Sequence, residues 1–320
     1  MRIAVMILTT ASEPYSANLE AAKATFVRAA YEGMASGALS NEYEFYMYWG
    51  AADGSDIRPA AADAREWESI CTYVACPCGE MVSRTFEKTS YASSIVAEGG
   101  YDMVVKVNGS AYLNIALLDA LAPKLDAGRV YCNRINSIVS DSSFRYLNDV
   151  YPRGDFAVYG GGVFAGMAER GTKMADDFAA DDMLLDVPHA DDVLMGICLL
   201  ESLGTGYWRR YGQVRYNFVP EWDLSGGLSS AVRPDALCTR LKTIPPGVGY
   251  SGYSWKPNAY RLAEPEKFRL VHESIAASGF DFSSATPESV ANGDWTNTFV
   301  VGVSRADRDR VAEVLSAAGK

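Results

Sequence analysis

Four short stretches carry residue types that can do chemistry. Asp191-Asp192 opens the apolar helical run DDVLMGICLLESL, with His189 two positions upstream. A carboxylate at a loop-to-helix boundary can stand at a cleft edge and take a proton from an attacking hydroxyl. The same two acids can cap the helix and complement the positive end of its dipole, and His189 can be an ordinary loop histidine. Tyr159-Gly160-Gly161-Gly162 lets backbone amides approach a ligand with no Cβ in the way, although a tight turn uses the same residues. Asn108-Gly109-Ser110 closes the β-branched run of Val104, Val105 and Val107. Polar turns at strand ends are where small anionic ligands sit in α/β proteins. Cys76-Pro77-Cys78 is the one cysteine cluster that invites a metal. Structural zinc sites pair two such knuckles, and the chain has only His189 and His272 to add, so a plain loop or an incidental disulfide is the default. The six cysteines, Cys71, Cys76, Cys78, Cys132, Cys198 and Cys238, are scattered, and thiols are expected.

The elements that must position these residues follow from hydrophobic period and punctuation. Arg2 to Leu8 reads as a buried strand, followed by a Thr9–Ser16 loop and a helix over 17–36. Tyr43 to Trp49 is a second strand, Ala60 to Glu68 a helix, Ser69 to Ala75 a third strand and Arg84 to Ala97 a helix. A strand over 101–107, a helix over 112–126 and a strand from Arg129 to Asn133 complete the first half. Alternation of strands with helices implies parallel pairing, hence an α/β fold with a mostly parallel central sheet. Further on, short strands at Phe156–Val158 and Val163–Ala165 flank the glycine turn, and helices are expected over Ala168–Ala180 and Asp191–Leu203. From about 220 the chain is rich in Pro and Gly, an extended wrap closed by a helix (Pro265–Ala277), a strand (Thr298–Val303) and a last helix (Ala306–Ala317). This organisation predicts one α/β domain over 1–215 with a loop-rich C-terminal extension, 216–320, packed on it.

The totals exclude some functions. With 40 acidic and 29 basic residues the net charge is −11, unsuited to a general binder of nucleic acid or anionic membrane, though a local basic pocket for one nucleotide stays open. At 48% hydrophobic and 22% charged, the 320 residues can bury a sizeable core. The apolar run after Arg2 is too short for a signal-peptide core, and no run reaches the roughly 18 apolar residues a membrane span needs. A cytoplasmic protein without a membrane span is expected.

Taken in order, YDMVVKVNGSAYLNIALLDAL (101–121), Asp155–Gly166 and Asp191–Gly196 resemble consecutive motifs of the β-1,3-galactosyltransferase and Fringe-like glycosyltransferases, which have the GT-A fold. In that family the first segment reads YD-hydrophobic-K-x-DDD-x-hydrophobic-x-N-x-x-x-L. A glycine-rich strand-turn-strand follows, then an E/D-D-V-x-x-G box before a helix. Phe86-Glu87-Lys88-Thr89 loosely matches a Lys-Thr on the preceding helix. The likeness covers roughly residues 1–215 and leaves the last third unmatched.

The resemblance implies a Rossmann-like nucleotide-sugar-binding domain and a hexosyl- or pentosyltransferase. Its partners would be a nucleotide-sugar donor, a UDP-sugar first, and a glycan acceptor, with inversion at the anomeric carbon. Asp192 is then the expected catalytic base, with Asp191, Gly161, Gly162 and Trp208 meeting the acceptor or sugar. Donor contacts are expected from Thr9, Thr10, Asp53, Arg84, Lys88, Asn108, Gly109 and Ser110. Trp222 and Trp255 are further aromatics on which a sugar can stack.

One departure bears on the chemistry. The family's metal-binding aspartates are replaced by Asn108, Gly109 and Ser110, and no histidine lies between His189 and His272 to act as a further ligand. Divalent Mg²⁺ and Mn²⁺ favour carboxylates, so a tight metal site is unsupported and no cofactor is expected to be required. Positive charge for a diphosphate would then come from side chains, Lys256 first, with Arg240, Lys242, Arg209 and Arg210 as others. A non-catalytic glycan- or nucleotide-binding protein on the same scaffold is the alternative, and a nucleotidyltransferase a third.

Overall fold

The first strand, β1 (Arg2–Leu8), pairs in parallel with β2 (Glu42–Gly50) on one side and β4 (Met103–Asn108) on the other. In the computed structural model, which describes residues 1–60, 63–80, 84–132, 135–138, 149–152, 154–179, 190–204, 207–218, 232–242, 261–291 and 300–301, these strands centre a seven-stranded sheet. Beyond β2 lies β3 (Cys71–Cys76). Beyond β4 come β9 (Phe156–Gly160), antiparallel to its neighbours, then β6 (Val130–Cys132) and β10 (Tyr211–Gln213). Ile3, Ala4, Val5 and Met6 are all fully buried, as a parallel strand covered on both faces requires. The α/β class and the mostly parallel sheet are those the sequence predicts.

Two cores lie on opposite faces of the sheet. On one, Val5, Phe45 and Val105 pack under α1 (Tyr15–Ala22), a π turn (Lys23–Val27), α2 (Arg28–Ser36), α4 (Ile115–Leu121) and α7 (Glu264–Ala277). On the other, Met6, Tyr48, Val104 and Tyr159 meet α3 (Thr85–Glu98), α5 (Gly161–Ala179) and α6 (Ala190–Leu203). A smaller sheet joins β5 (Ala111–Leu113) to β12 (Cys238–Arg240) and β11 (Tyr216–Phe218), and another joins β7 (Ile135–Ile138), β8 (Asp149–Pro152) and β13 (Val300–Val301). Among the described residues no helix is long and apolar enough to cross a membrane.

Several elements differ from the sequence reading. Among the described residues of 60–68 the helical structure is a 3-10 turn, Glu66–Ile70; the alanine-rich run has no large apolar stripe to dock. The predicted helix over 112–126 begins instead as β5. Asn114 then caps the shorter α4, its Oδ1 accepting from Leu117 N at 3.2 Å, and a 3-10 turn at Ala122–Lys124 contains Pro123. Val163–Ala165 is helical rather than a strand, since Phe164, Met167, Ala168 and Met174 recur at helical spacing toward the core. The predicted last helix, 306–317, lies outside the described residues, as does most of the strand over 298–303.

Candidate functional site

The chain runs outward from β1 through β2 to β3 on one side and places β4 on the other, so the sheet's direction of growth reverses between β1 and β4. Open α/β sheets bind ligands in the crevice outside the carboxyl ends of the strands at such a switch point. Here the crevice floor is the pair Leu8–Asn108 and the turn that follows. Gly109 N donates to Leu8 O at 2.8 Å, and Thr9 N to Tyr48 O at 3.0 Å. A Cβ on Gly109 would stand 2.6 Å from Leu8 O, so only glycine lets the turn lie this close to β1. Ser110 is fully buried, and its Oγ meets no hydrogen-bond partner among the described residues.

The small sheet roofs this turn. Leu241 N donates to Ser110 O at 2.9 Å, and Arg240 pairs in register with Ala111. Arg240 and Lys242 are 4% and 1% exposed, two buried cations flanking the residue that ties to Ser110. Asp155 sits beside them. Its carbonyl accepts from Asn108 N at 3.1 Å and its carboxylate from the Tyr216 hydroxyl at 2.7 Å. Burial lifts the Cys238 thiol well above its ordinary pKa, with the Asp155 charge adding to the rise and the Arg240 charge opposing it. Lys106, buried in β4, donates from Nζ to Gly154 O at 2.8 Å and so helps hold the Gly154-Asp155 corner to the floor.

The other residues predicted to contact the donor make hydrogen bonds or ion pairs within the protein. Lys88 Nζ donates to Glu80 O at 3.2 Å and lies 3.7 Å from its carboxylate, whose other oxygen accepts from Gly50 N at 2.6 Å. Burial raises the Glu80 pKa, with Lys88 opposing. Arg84 pairs with Glu87 one turn along α3. Asp53 is exposed and accepts from Ser55 N at 2.9 Å, a bond that helps hold its pKa below the usual carboxylate range. Thr10 Oγ1 donates to Ser12 O at 3.2 Å, and Thr9 is buried with its Oγ1 donating to Tyr15 O at 3.4 Å.

Behind the first loop is a group that no local motif announced. Arg261 is fully buried, with Nε and Nη2 donating to the Glu264 carboxylate at 2.7 and 3.0 Å, and Asn18 Nδ2 donating to the same carboxylate at 2.7 Å. The guanidinium lies 4.5 Å over the Tyr15 ring, and Tyr15 Cδ1 is 3.5 Å from where a Gly109 Cβ would stand. Tyr15, Asn18, Arg261, Glu264, Asp155 and Tyr216 were all missed by the sequence reading, because each is chemically ordinary until the fold brings it to its partner.

Gly161 and Gly162 do not join the crevice. Because β9 is antiparallel, Gly160 pairs with Met103 at the opposite end of β4, about 16 Å along the strand from Asn108. Gly161 N donates to Asp102 O at 2.8 Å, and the Tyr101 backbone leaves no room there for a Cβ. Gly161 starts α5 by close packing, whereas Gly162 is exposed with open space where a Cβ would stand. Asp192 lies in the first turn of α6, 7% exposed; burial, then the Cys132 and Asp192 charges, raise the pKa of the Tyr159 hydroxyl. Asp191 is in the same turn and Trp208 in the 3-10 turn Tyr207–Arg210, but the description does not extend to their side chains. Arg209 and Arg210 are exposed next to the edge strand β10. His189, Trp222, Trp255 and Lys256 lie outside the described residues.

The residues at the turn do not fit a tightly held divalent cation. Asn108 and Ser110 offer neutral oxygens, Asp155 is a single carboxylate, and no three Asp, Glu, His or Cys side chains converge among the described residues. All six cysteines are thiols, and burial pushes Cys76 and Cys78 up to about 12 and about 11, away from the thiolate that binds zinc.

No family model matches the chain, and no curated protein matches its sequence. Among solved structures it is similar to a glycosyltransferase involved in glycosylation of the major capsid of PBCV-1, at 11% identity over 84% of this chain and 100% of that one, with a TM-score of 0.43. It is also similar to the galactosyltransferase LgtC in complex with donor and acceptor sugar analogues, at 12% identity over 86% and 96% of the two chains, with a TM-score of 0.39. A third is the glycosyltransferase GlyE of Streptococcus pneumoniae TIGR4, at 11% identity over 86% of this chain and 62% of that one, with a TM-score of 0.38. Likeness at this level assigns no role to any single residue.

Proposed function

We propose that this chain is a glycosyltransferase that binds a nucleotide-sugar donor over the carboxyl ends of β1 and β4 and transfers the sugar, with inversion, to an acceptor hydroxyl without a tightly bound metal. The observation that carries the reading is the Asn108–Ser110 turn. It is fixed to β1 at the switch point, ends in a buried hydroxyl, and is bonded through Ser110 O to Leu241, the residue between the buried Arg240 and Lys242. As the bond between the anomeric carbon and the phosphate oxygen breaks, negative charge collects on the diphosphate. Cations already held in a low-dielectric site stabilise that charge without reorganising. Ser110 Oγ, and Asn108 through its amide, can hydrogen-bond a phosphate or ribose oxygen. Asp192 is the carboxylate proposed to accept the acceptor's proton as its oxygen attacks the opposite face of the sugar.

The test is thermal shift and turnover with a panel of nucleotide sugars, UDP-sugars first, in Mn²⁺, Mg²⁺ or EDTA. Stabilisation and turnover that persist in EDTA are expected; activity that vanishes in EDTA would overturn the metal-free part of the reading. Asp192→Asn is expected to abolish turnover while donor binding survives, and undiminished turnover removes Asp192 from its role. A second reading, a non-catalytic nucleotide- or glycan-binding protein, draws support from the burial of Asp192 within α6. Donor binding by the wild-type chain with no turnover across an acceptor panel would favour it.

A further inference from the structure

We infer that Arg261 is a positioning residue of the crevice: through its stack on Tyr15 it sets the height of the first loop, Thr9–Tyr15, over the Asn108–Ser110 turn. The inference rests on the reading that a nucleotide occupies this crevice. The Tyr15 ring is held from two sides. On one is Gly109, whose missing Cβ leaves the ring edge 3.5 Å from the position such an atom would take; on the other is the Arg261 guanidinium, 4.5 Å over the ring. The guanidinium is itself held by a two-pronged pair of bonds to Glu264, and Glu264 is held in turn by Asn18, three residues beyond Tyr15 on the same helix α1. The loop backbone follows the ring, because the Tyr15 carbonyl accepts from Thr9 Oγ1 at 3.4 Å.

Stability alone does not account for this arrangement. A fully buried ion pair can often be replaced by apolar residues of similar volume without loss, because removing two charges from water consumes most of their mutual attraction. What apolar residues would not supply is a flat, oriented surface at a fixed height, which a guanidinium locked by a carboxylate provides and a lysine ammonium does not. The structure therefore joins the chain that follows the small sheet to the loop at the end of β1, through a ring whose edge lies beside Gly109 of the crevice floor.

The experiment measures binding of UDP, GDP and ADP by calorimetry, and donor and acceptor kinetics, for the full chain and four variants. Arg261→Lys keeps the charge and loses the fork; Arg261→Met loses both. Tyr15→Phe keeps the ring face; Tyr15→Leu removes it. Expected is a loss of about tenfold in affinity for the preferred diphosphate in Arg261→Lys, Arg261→Met and Tyr15→Leu, with Tyr15→Phe binding more tightly than Tyr15→Leu. The donor KM should rise while kcat at saturating donor and the acceptor KM hold. If the Arg261 variants do not fold, Tyr15→Leu decides, since that ring is only half-buried. A Tyr15→Leu protein that binds as tightly as wild type overturns the inference alone. So does a loss in which donor KM, acceptor KM and melting temperature all worsen together, the pattern of a structural role. A wild-type chain that binds none of the three diphosphates overturns the nucleotide reading, and this inference with it.

Discussion

Gly109 and Ser110 are neighbours with opposite constraints. A side chain at 109 would strike the Leu8 carbonyl, a backbone atom that cannot swing aside, so the β1–β4 register would have to part at its carboxyl end. Gly109→Val is expected to lower stability by about 1–3 kcal/mol, the usual range for forced overpacking, and to abolish nucleotide binding. At 110 the hydroxyl is buried and makes no internal hydrogen bond among the described residues. Removing an unsatisfied buried polar atom is close to neutral or stabilising. Ser110→Ala should therefore melt within about 0.5 kcal/mol of wild type or slightly above it, yet bind the donor nucleotide more weakly. Urea unfolding and calorimetry on the two variants separate these effects. Weakened folding in Ser110→Ala with unchanged nucleotide affinity would remove Ser110 from the ligand site.

At the scale of elements, Asp119 on α4 ties that helix to the entry of β2. Its carboxylate accepts from Ser40 N at 2.9 Å, Asn41 N at 3.0 Å, Asn41 Nδ2 at 2.7 Å and the Tyr43 hydroxyl at 3.2 Å. Asp119→Ala strands several buried donors at once and should cost about 2–4 kcal/mol by urea denaturation; a loss under about 1 kcal/mol would mean the entry of β2 is held by other contacts. None of this was legible in the sequence, where Asp119 reads as one acid within an apolar helix. The strands were legible because β-branched and aromatic runs have few other uses, and β1, β2 and β4 fall within a residue or two of their predicted bounds. The strand expected at Val163–Ala165 was misread because a tight turn and a closely packed helix start such as Gly161 both select glycine; the helix that begins at Gly161 decides between them. The strand-end rule placed Thr9 and Asn108–Ser110 at the carboxyl ends of β1 and β4, since it needs only local sequence. It could not find the Asn18–Glu264 bond, which spans 246 residues, nor the meeting of Asp155 with Tyr216, whose spacing follows from the fold alone.

For the molecule as a whole, described residues beyond 215 belong to the main core. Phe268, Val271 and Ile275 of α7 lie in the cluster that covers β1 and β2, and Phe268 stacks on Phe26 at 6.4 Å between ring centres. His272 marks the same seam, its Nδ1 2.9 Å from the Tyr112 hydroxyl of β5. Burial depresses the His272 pKa, while Glu273 and Glu32 oppose that shift and Arg28 adds to it. A folded-state pKa below the unfolded value means that the unfolded chain binds the proton more readily. The contribution is therefore absent well above the unfolded value near 6.5, and stability falls as the pH drops through it toward the lower folded value. Unperturbed carboxylates titrate mainly below about pH 5, so over roughly pH 7 to 5.5 the groups to consider are the two histidines and Glu80, whose pKa burial raises. The His272 contribution to the unfolding free energy should decline across that window with a slope below about 1.4 kcal/mol per pH unit, the limit for one proton. His272→Asn keeps a polar partner for Tyr112 and has nothing to titrate, so its slope should be shallower than that of wild type, with the His189 contribution common to both. Urea curves at pH 7, 6.25 and 5.5 make the comparison; parallel slopes would show that the seam between α7 and β5 is indifferent to this proton.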